Sequence, residues 1–339
     1  MTTMGSAPTA DPRVVVIVAF PGVLGLDVVG PLEVFAMANR FGARPAYATS
    51  VVSMTGGMLT ASSGLVIGTE PAGTIAGPVD TLMVAGGYST RQAADDLDLV
   101  RWLAGTALSA RRVTSVCSGA LLLARAGLLD GRRATTHWSV CDTLASHFPS
   151  VRVETSRVYV RDGDVWTSGG VTAGIDLALA LVENDHGPAL AMAAAREMVV
   201  FVHRPSEFPQ ISAQLAVRRP LREPLRDLLA LIAEHPDADL SVPALAHRCA
   251  MSVRTFSRVF HRETGTTPAA FVQASRLQTA QRLIKASEAT FEDIARTCGF
   301  GTVETMYRTF QRVLGTTPGQ LRGQPRGGSE PVIERRRNP

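Results

Sequence analysis

Cys117 is the residue whose type and place best suit it to chemistry. It lies in residues 112–119 (RVTSVCSG), at the end of an apolar run and directly before Ser118, Gly119 and a helical stretch (ALLLARAG). A nucleophile at a sharp strand-to-helix turn stands above its sheet, and a helix N-terminus favours the thiolate. The backbone N–H of Ser118 would lie near any oxyanion formed there. Two further groups would have to converge on the thiol. One is Asp27, in GLDVVGPLE after the first apolar run; the other is His137, in TTHW. A Cys/His/carboxylate set supports nucleophilic addition with proton transfer, and an accessible thiol alone supports peroxide sensing. The plain alternative is a buried, inert Cys, a locally bonded His and an Asp that caps a turn.

Strand ends can bring these residues together only in a parallel α/β sheet. Residues 14–20 (VVVIVAF) form a continuous apolar run, as in a strand buried on both faces. Further strand patterns occupy 47–53, 81–85 and 113–116. Helical patterns occupy 31–39, 93–110, 119–126, 139–147 and 175–184. This alternation predicts an α/β sandwich with a mainly parallel sheet, whose strand ends share one ligand-binding edge. Residues 151–154 and 157–167, with Asp162-Gly163 between β-rich pieces, predict a hairpin and hence a mixed sheet.

A chain of 339 residues is long for one core and implies two or three domains. With 45% hydrophobic and 19% charged residues, disorder is excluded as the main state. The net charge of +4 is uneven: residues 1–217 hold 15 basic and 18 acidic side chains, residues 218–339 hold 19 and 12. A basic C-terminal third points toward nucleic acid, with a solvated arginine face as the alternative. Four scattered cysteines (Cys117, Cys141, Cys249, Cys298) form no CxxC pair, which argues against a zinc ribbon or disulfide framework and fits a reducing compartment. There is no apolar stretch of 18 residues and no signal-like start, so a cytoplasmic protein without membrane contact is expected. Neither a metal nor a cofactor is implied. Residues 204–224 contain four prolines and read as a linker, and the polar tail 323–339 is expected to be disordered.

An internal repeat organises the basic third. Leu245-Ala246-x-x-Cys249-Ala250-Met251 returns 49 residues later as Ile294-Ala295-x-x-Cys298-Gly299-Phe300, and GTTP at 265 returns at 315. Each copy reads as a helix-turn-helix unit, with a small Ala where two helices approach and a small residue in the turn. Ser252 and Thr302 are placed to cap the second helix of each unit. A helical projection puts Phe256, Val259 and Phe260 inward and Arg254, Ser257, Arg258, His261 and Arg262 outward. In the second copy Met306, Phe310 and Val313 fall inward, and Glu304, Tyr307, Arg308, Gln311 and Arg312 outward. Outward arginines and small polar residues suit the major groove, and two matching copies favour DNA over a plain helical repeat.

Residues 225–322 resemble the DNA-binding domain of the AraC/XylS family, through LSVPALAHRCAMSVRTFSRVFHRETGTTPAAFVQASRLQTAQRLI and DIARTCGFGTVETMYRTFQRVLGTTPGQLR. The resemblance implies two helix-turn-helix units on a long helix, about 268–286, that enter successive major grooves of double-stranded DNA. It makes Arg254, Thr255 and Arg258, with Thr302, Glu304, Thr305 and Arg308, the candidates for contact, joined by Ser252, Ser257, Arg262 and Arg312 on the same faces. Tyr307 stands where members often carry Arg or Ser.

Residues 13–200 resemble the ThiJ/PfpI superfamily, related to class I glutamine amidotransferases, through DVVGPLEVF, Gly86-Gly87, SVCSGALLLARAGLLDGRRATTHW and TSGGVTAGIDLALALV. By that resemblance the fold is flavodoxin-like, Cys117 is the elbow cysteine, Asp27 its acid, Gly87 and Ser118 the backbone donors, and His137 the nearby histidine. Ser118 occupies the place where proteases of the superfamily carry His, which argues against protease chemistry. The order of the two parts resembles the GlxA family of transcriptional regulators. That implies a sensor and dimerisation domain at 13–203, a DNA-binding domain at 225–322, a homodimer, and a small, often nitrogen-containing effector near Asp27, Gly86, Gly87, Cys117, Ser118 and His137. RNA polymerase is a further candidate partner. The competing readings are a thiol-dependent hydratase and a Cys117 redox sensor.

Overall fold

The computed structural model describes residues 11–200, 204, 206, 208–211, 223–314 and 316–323. They fall into two compact units that divide between Gln210 and Ile211.

The first unit is built on an eight-stranded sheet. Its centre is β1 (Arg13–Val18), flanked in parallel by β2 (Tyr47–Ser53) and β5 (Thr81–Val84). Beyond β5 lie β6 (Arg112–Val116) and β10 (Val165–Ser168), both parallel, and then β9 (Tyr159–Asp162), antiparallel to β10. The hairpin expected at Asp162-Gly163 is this β9–β10 pair. On the other side β4 (Val66–Pro71) joins β2, and β3 (Gly57–Thr60) joins β4 antiparallel. Val15 to Val18, Leu82 to Val84 and the whole of β6 are buried, as continuous apolar runs between helical layers should be.

Helices cover both faces: α1 (Gly25–Arg40), α2 (Thr90–Ala94), α3 (Leu97–Ala107), α4 (Gly119–Arg125), α5 (Cys141–His147), α6 (Thr172–His186) and α7 (Pro188–Glu197). α1 starts before the expected residue 31 and keeps Pro31 inside it. The helix expected over 93–110 is two, because Asp96 caps α3 by accepting from Asp98 N and Leu99 N. Residues 152–153 lie outside the hairpin: they form β8 (Arg152–Val153), paired in parallel with β7 (Arg133–Ala134).

At the edge where the parallel strands begin, Arg112 is buried and grips Asp185 through Nη1 (3.0 Å) and Nη2 (2.7 Å). Tyr47 Oη donates to Asp185 at 2.8 Å, and Arg111 bridges Asp80 and Asp185. Burial alone pushes the Asp185 carboxyl up, yet the Arg112 charge and these hydrogen bonds hold it below the ordinary range.

The regular elements among the described residues of the second unit are all helices: α8 (Glu223–Glu234), α9 (Val242–Arg248), α10 (Val253–Thr264), α11 (Pro268–Ala286), α12 (Phe291–Thr297), α13 (Val303–Leu314) and α14 (Pro318–Arg322). It has two small cores. Phe256, Phe260, Phe271 and Val272 centre one, and Leu277, Ile284, Met306 and Phe310 the other. α11 serves both. Its 19 residues span about 28 Å, close to one turn of DNA. Of the stretch read as a linker, residues 204 and 208–210 pack on the first unit, and 212–222 lie outside the described residues. The tail 324–339 lies outside them too.

Candidate functional site

Cys117 sits at the elbow between β6 and α4 with φ at +58°, a strained conformation for a residue with a side chain. Three contacts hold it there. Its N–H donates to Ser168 O (3.1 Å), and its carbonyl accepts from Thr136 Oγ1 (2.8 Å). Gly170 packs so closely that a Cβ there would lie 2.2 Å from that of Cys117. Glycine at 170 is therefore a condition of the elbow.

Asp27, in the first turn of α1, is fully buried beneath the elbow. Its Oδ2 accepts from Gly86 N (3.1 Å) and its Oδ1 from Val171 N (2.8 Å). Burial raises its carboxyl to about 6, and the two N–H bonds and a hydrogen bond with the Cys117 thiol limit the rise. Burial, and then the Asp27 charge, push the Cys117 thiol up to about 12. The sequence led us to expect a thiolate favoured by the N-terminus of α4. The structure corrects this: the sulfur faces a buried carboxylate, and the pull of the Ser118 N–H is the smaller effect.

The Gly87 donor is already engaged. Gly87 N donates to Ser118 Oγ at 3.0 Å, and the same oxygen lies 2.8 Å from Thr90 Oγ1 and 3.1 Å from Gly87 O. Ser118 thus fills the place where an oxyanion would take the Gly87 hydrogen. His137 lines the same cavity as Cys117, with its Nδ1 2.7 Å from Ser139 Oγ. Among the described residues no hydrogen bond joins it to Cys117. Burial holds its ring pKa below the usual value.

The cavity encloses about 250 Å³. Besides Cys117, Ser118 and His137 it is lined by Tyr88, Arg91 and Thr143, which sequence reasoning did not single out. Arg91 Nη2 donates to Thr143 Oγ1 at 3.2 Å across it. Nothing in the spacing of Arg91, 26 residues before the cysteine, marks it; the meeting of the β5 and β6 strand ends does.

In the second unit Ser252 and Thr302 cap α10 and α13, accepting from Thr255 N (3.3 Å) and Thr305 N (3.2 Å). Arg254, Arg258, Glu304, Arg308 and Arg312 are exposed, while Thr255, Ser257 and Thr305 are half-buried beside them. Two expectations are corrected. Tyr307 turns inward, its ring edge-on to Phe291 at 5.7 Å, because α12 offers an aromatic partner. Val313, expected inward, is 51% exposed near the end of α13. Arg262 is paired with Glu263 at 2.7 Å. In the turns Ala250 and Gly299 both take positive φ (52° and 72°), and a Cβ at 299 would meet Pro236 O at 2.1 Å.

The chain matches the DJ-1/PfpI family over residues 12–184 and a helix-turn-helix domain over 245–324. It is 32% identical over 305 residues to the HTH-type transcriptional regulator CdhR of Pseudomonas aeruginosa, covering 89% of each chain. It is 27% identical to the HTH-type transcriptional regulator GlxA of Rhizobium meliloti, over 86% of this chain and 89% of that one. Over 166 residues it is 40% identical to an isonitrile hydratase of Pseudomonas putida, covering 48% of this chain and 68% of the enzyme. Among solved structures, a ThiJ/PfpI family protein from Pseudomonas syringae superposes with a TM-score of 0.53 at 30% identity, covering 68% of this chain and 93% of that one. The CdhR match runs through both units, and the order of domains is the same as the sequence resemblance implied. The chain belongs to the GlxA-type family of DNA-binding transcriptional regulators, in which a DJ-1/PfpI domain precedes an AraC-type helix-turn-helix domain.

Proposed function

We propose that this regulator senses a small metabolite in the cavity above Cys117 and thereby sets how its second domain engages DNA. The observation that carries the reading is the cavity itself, where Arg91 supplies a cation, Tyr88 an aromatic face and Thr143, Ser139 and His137 hydrogen-bonding groups. This lining suits a small nitrogen-containing compound with an anionic group that pairs with Arg91. Control requires only that the effector bind two arrangements of the protein with different affinity. In this reading the sensor spans 13–203, the DNA reader spans 225–322, and the working form is a homodimer. Arg254, Arg258 and Arg308 read bases or grip phosphates; Glu304 accepts from a base edge; Thr255, Ser257, Thr305 and Arg312 support them.

Turnover at Cys117 is the second reading, favoured by the likeness to an isonitrile hydratase. A protonated thiol and a Gly87 amide already bonded to Ser118 weigh against it. The test begins with genomic fragments retained by the full chain at physiological salt, which supply the operator. Operator affinity is then titrated with small amino-carboxylates and their uncharged amides. A carboxylate that shifts the affinity of the wild type, but not of Arg91→Ala, supports sensing. Specific operator binding that no carboxylate or amide alters, together with turnover lost in Cys117→Ser, would reject it.

A further inference from the structure

The end of the first unit is tied to the wall of the cavity by one side chain. Gln210 is its last residue. Its Oε1 accepts from Trp138 N at 2.9 Å, and its Nε2 donates to Thr136 O at 2.8 Å, with Thr135 Oγ1 and Arg157 O each at 3.1 Å. His137, which lines the cavity, lies between the two residues so held. Thr136 in turn donates to the Cys117 carbonyl. The Gln210 side chain lies flat on Gly169, where a Cβ would meet it at 2.4 Å, next to the Gly170 that packs on Cys117.

The same segment has a second anchor. Arg204 donates from its backbone N (2.8 Å), Nε (2.9 Å) and Nη2 (2.6 Å) to the buried Asp176 of α6, and from Nη2 to Thr172 Oγ1 (2.9 Å). Its Nη1 also reaches Gln210 O at 3.2 Å. Arg204 therefore fixes the segment to α6, and Gln210 fixes it to the loop that carries His137 of the cavity wall. A backbone shift at His137 carries Thr136 O and Trp138 N with it and so loosens Gln210. Residue 211 then begins the second unit.

The geometry points to Gln210 as the positioning residue that couples the state of the Cys117 cavity to the connector leading into the DNA-binding domain. This rests on the sensing role of the cavity. The amide of Gln210 accepts on one side of His137 through Oε1 and donates on the other through Nε2.

Two measurements on the full chain test it. In Gln210→Ala, amide hydrogen exchange across residues 134–140 accelerates roughly tenfold, the loss of one or two hydrogen bonds, while α6 is unchanged. Unchanged exchange there overturns the tie. The second measurement fills the cavity from its wall with Thr143→Trp, a lining position, and reads operator affinity with and without that substitution. A shift in the wild type that is lost in Gln210→Ala supports the coupling, and an equal shift in both overturns it. If neither protein responds, sensing through this cavity fails, and the exchange measurement alone decides whether Gln210 holds the loop.

Discussion

Ser118 Oγ accepts the Gly87 N–H at 3.0 Å, so the amide that the sequence resemblance assigns to an oxyanion is already engaged. An oxyanion hole must offer donors aimed at empty space, ready for charge that develops later. Here the hole is closed by the residue that follows the elbow cysteine, and Thr90 Oγ1, 2.8 Å from the same oxygen, keeps it closed. The chemistry-bearing set is present in outline, but its electrostatics suit a binding wall.

The thiol should be slow. With Cys117 pushed up to about 12 by burial and by Asp27, iodoacetamide at pH 8 labels it about a hundredfold or more slowly than an unfolded control. Asp27→Asn removes the negative neighbour and speeds the labelling. A wild-type rate equal to that of a free cysteine would show that the thiolate is stabilised after all.

Asp27 also sets a pH dependence. Its folded value of about 6 lies above the 3.8 of an unperturbed carboxyl, so the fold prefers the neutral acid. Its contribution is complete below pH 3.8 and is lost as pH rises through 6, about 3 kcal/mol in all. The stability of the wild type relative to Asp27→Asn should therefore fall by about that amount between pH 4 and 7. Urea unfolding followed by tryptophan fluorescence reads it, since Trp102, Trp138 and Trp166 all lie in the first unit. A flat difference contradicts the buried neutral acid.

The opposite edge of the sheet carries the opposite sign. Asp185 is held below the usual carboxylate range, so its contribution is present above pH 3.8 and is lost as pH falls. Asp185→Ala leaves Arg112 buried without its bidentate partner and costs about 3–5 kcal/mol. The same urea experiment at pH 7 measures it, and a loss below about 1 kcal/mol would mean the cluster is solvated.

The two turns make a matched pair. Ala250 bears the left-handed conformation that Gly299 takes freely. Ala250→Gly should stabilise the second unit by about 0.5–1 kcal/mol, the relief of strain outweighing the added chain freedom. Gly299→Ala should cost about 2 kcal/mol or more, because its Cβ would strike Pro236 O. Segment-resolved hydrogen exchange checks both, and a stabilising Gly299→Ala would show the turn misread.

Much of this was legible in the residues. β1 announces itself as an unbroken apolar run rich in β-branched residues, and β2, β5 and β6 as shorter apolar or Thr- and Val-bearing pieces near Gly, Ser or Thr punctuation, so all four are expected nearly where they lie. β3 and β4 escaped because their Gly- and Thr-rich, largely exposed residues carry no such signal. The start of α1 was hidden by Pro31, which reads as a helix entrance although it stands in the second turn. Asp27, Cys117 and His137 were found from their places after strands. Arg91, Thr143 and Gln210 were not, since their roles arise from strands and segments far apart in sequence. Tyr307 was misplaced because a helical projection knows one helix, and the ring that draws it inward belongs to another.

The most direct test of the DNA-reading faces is the affinity of the full chain for an operator recovered from its own genome, measured at fixed physiological salt. Arg254→Ala and Arg308→Ala, each removing an exposed guanidinium from a recognition helix, should weaken binding roughly 5- to 150-fold. Arg262→Ala, whose guanidinium already pairs with Glu263, should change it no more than about threefold. Unchanged affinity in both Arg254→Ala and Arg308→Ala, or a loss confined to Arg262→Ala, would contradict the assignment of α10 and α13 as the helices that read DNA.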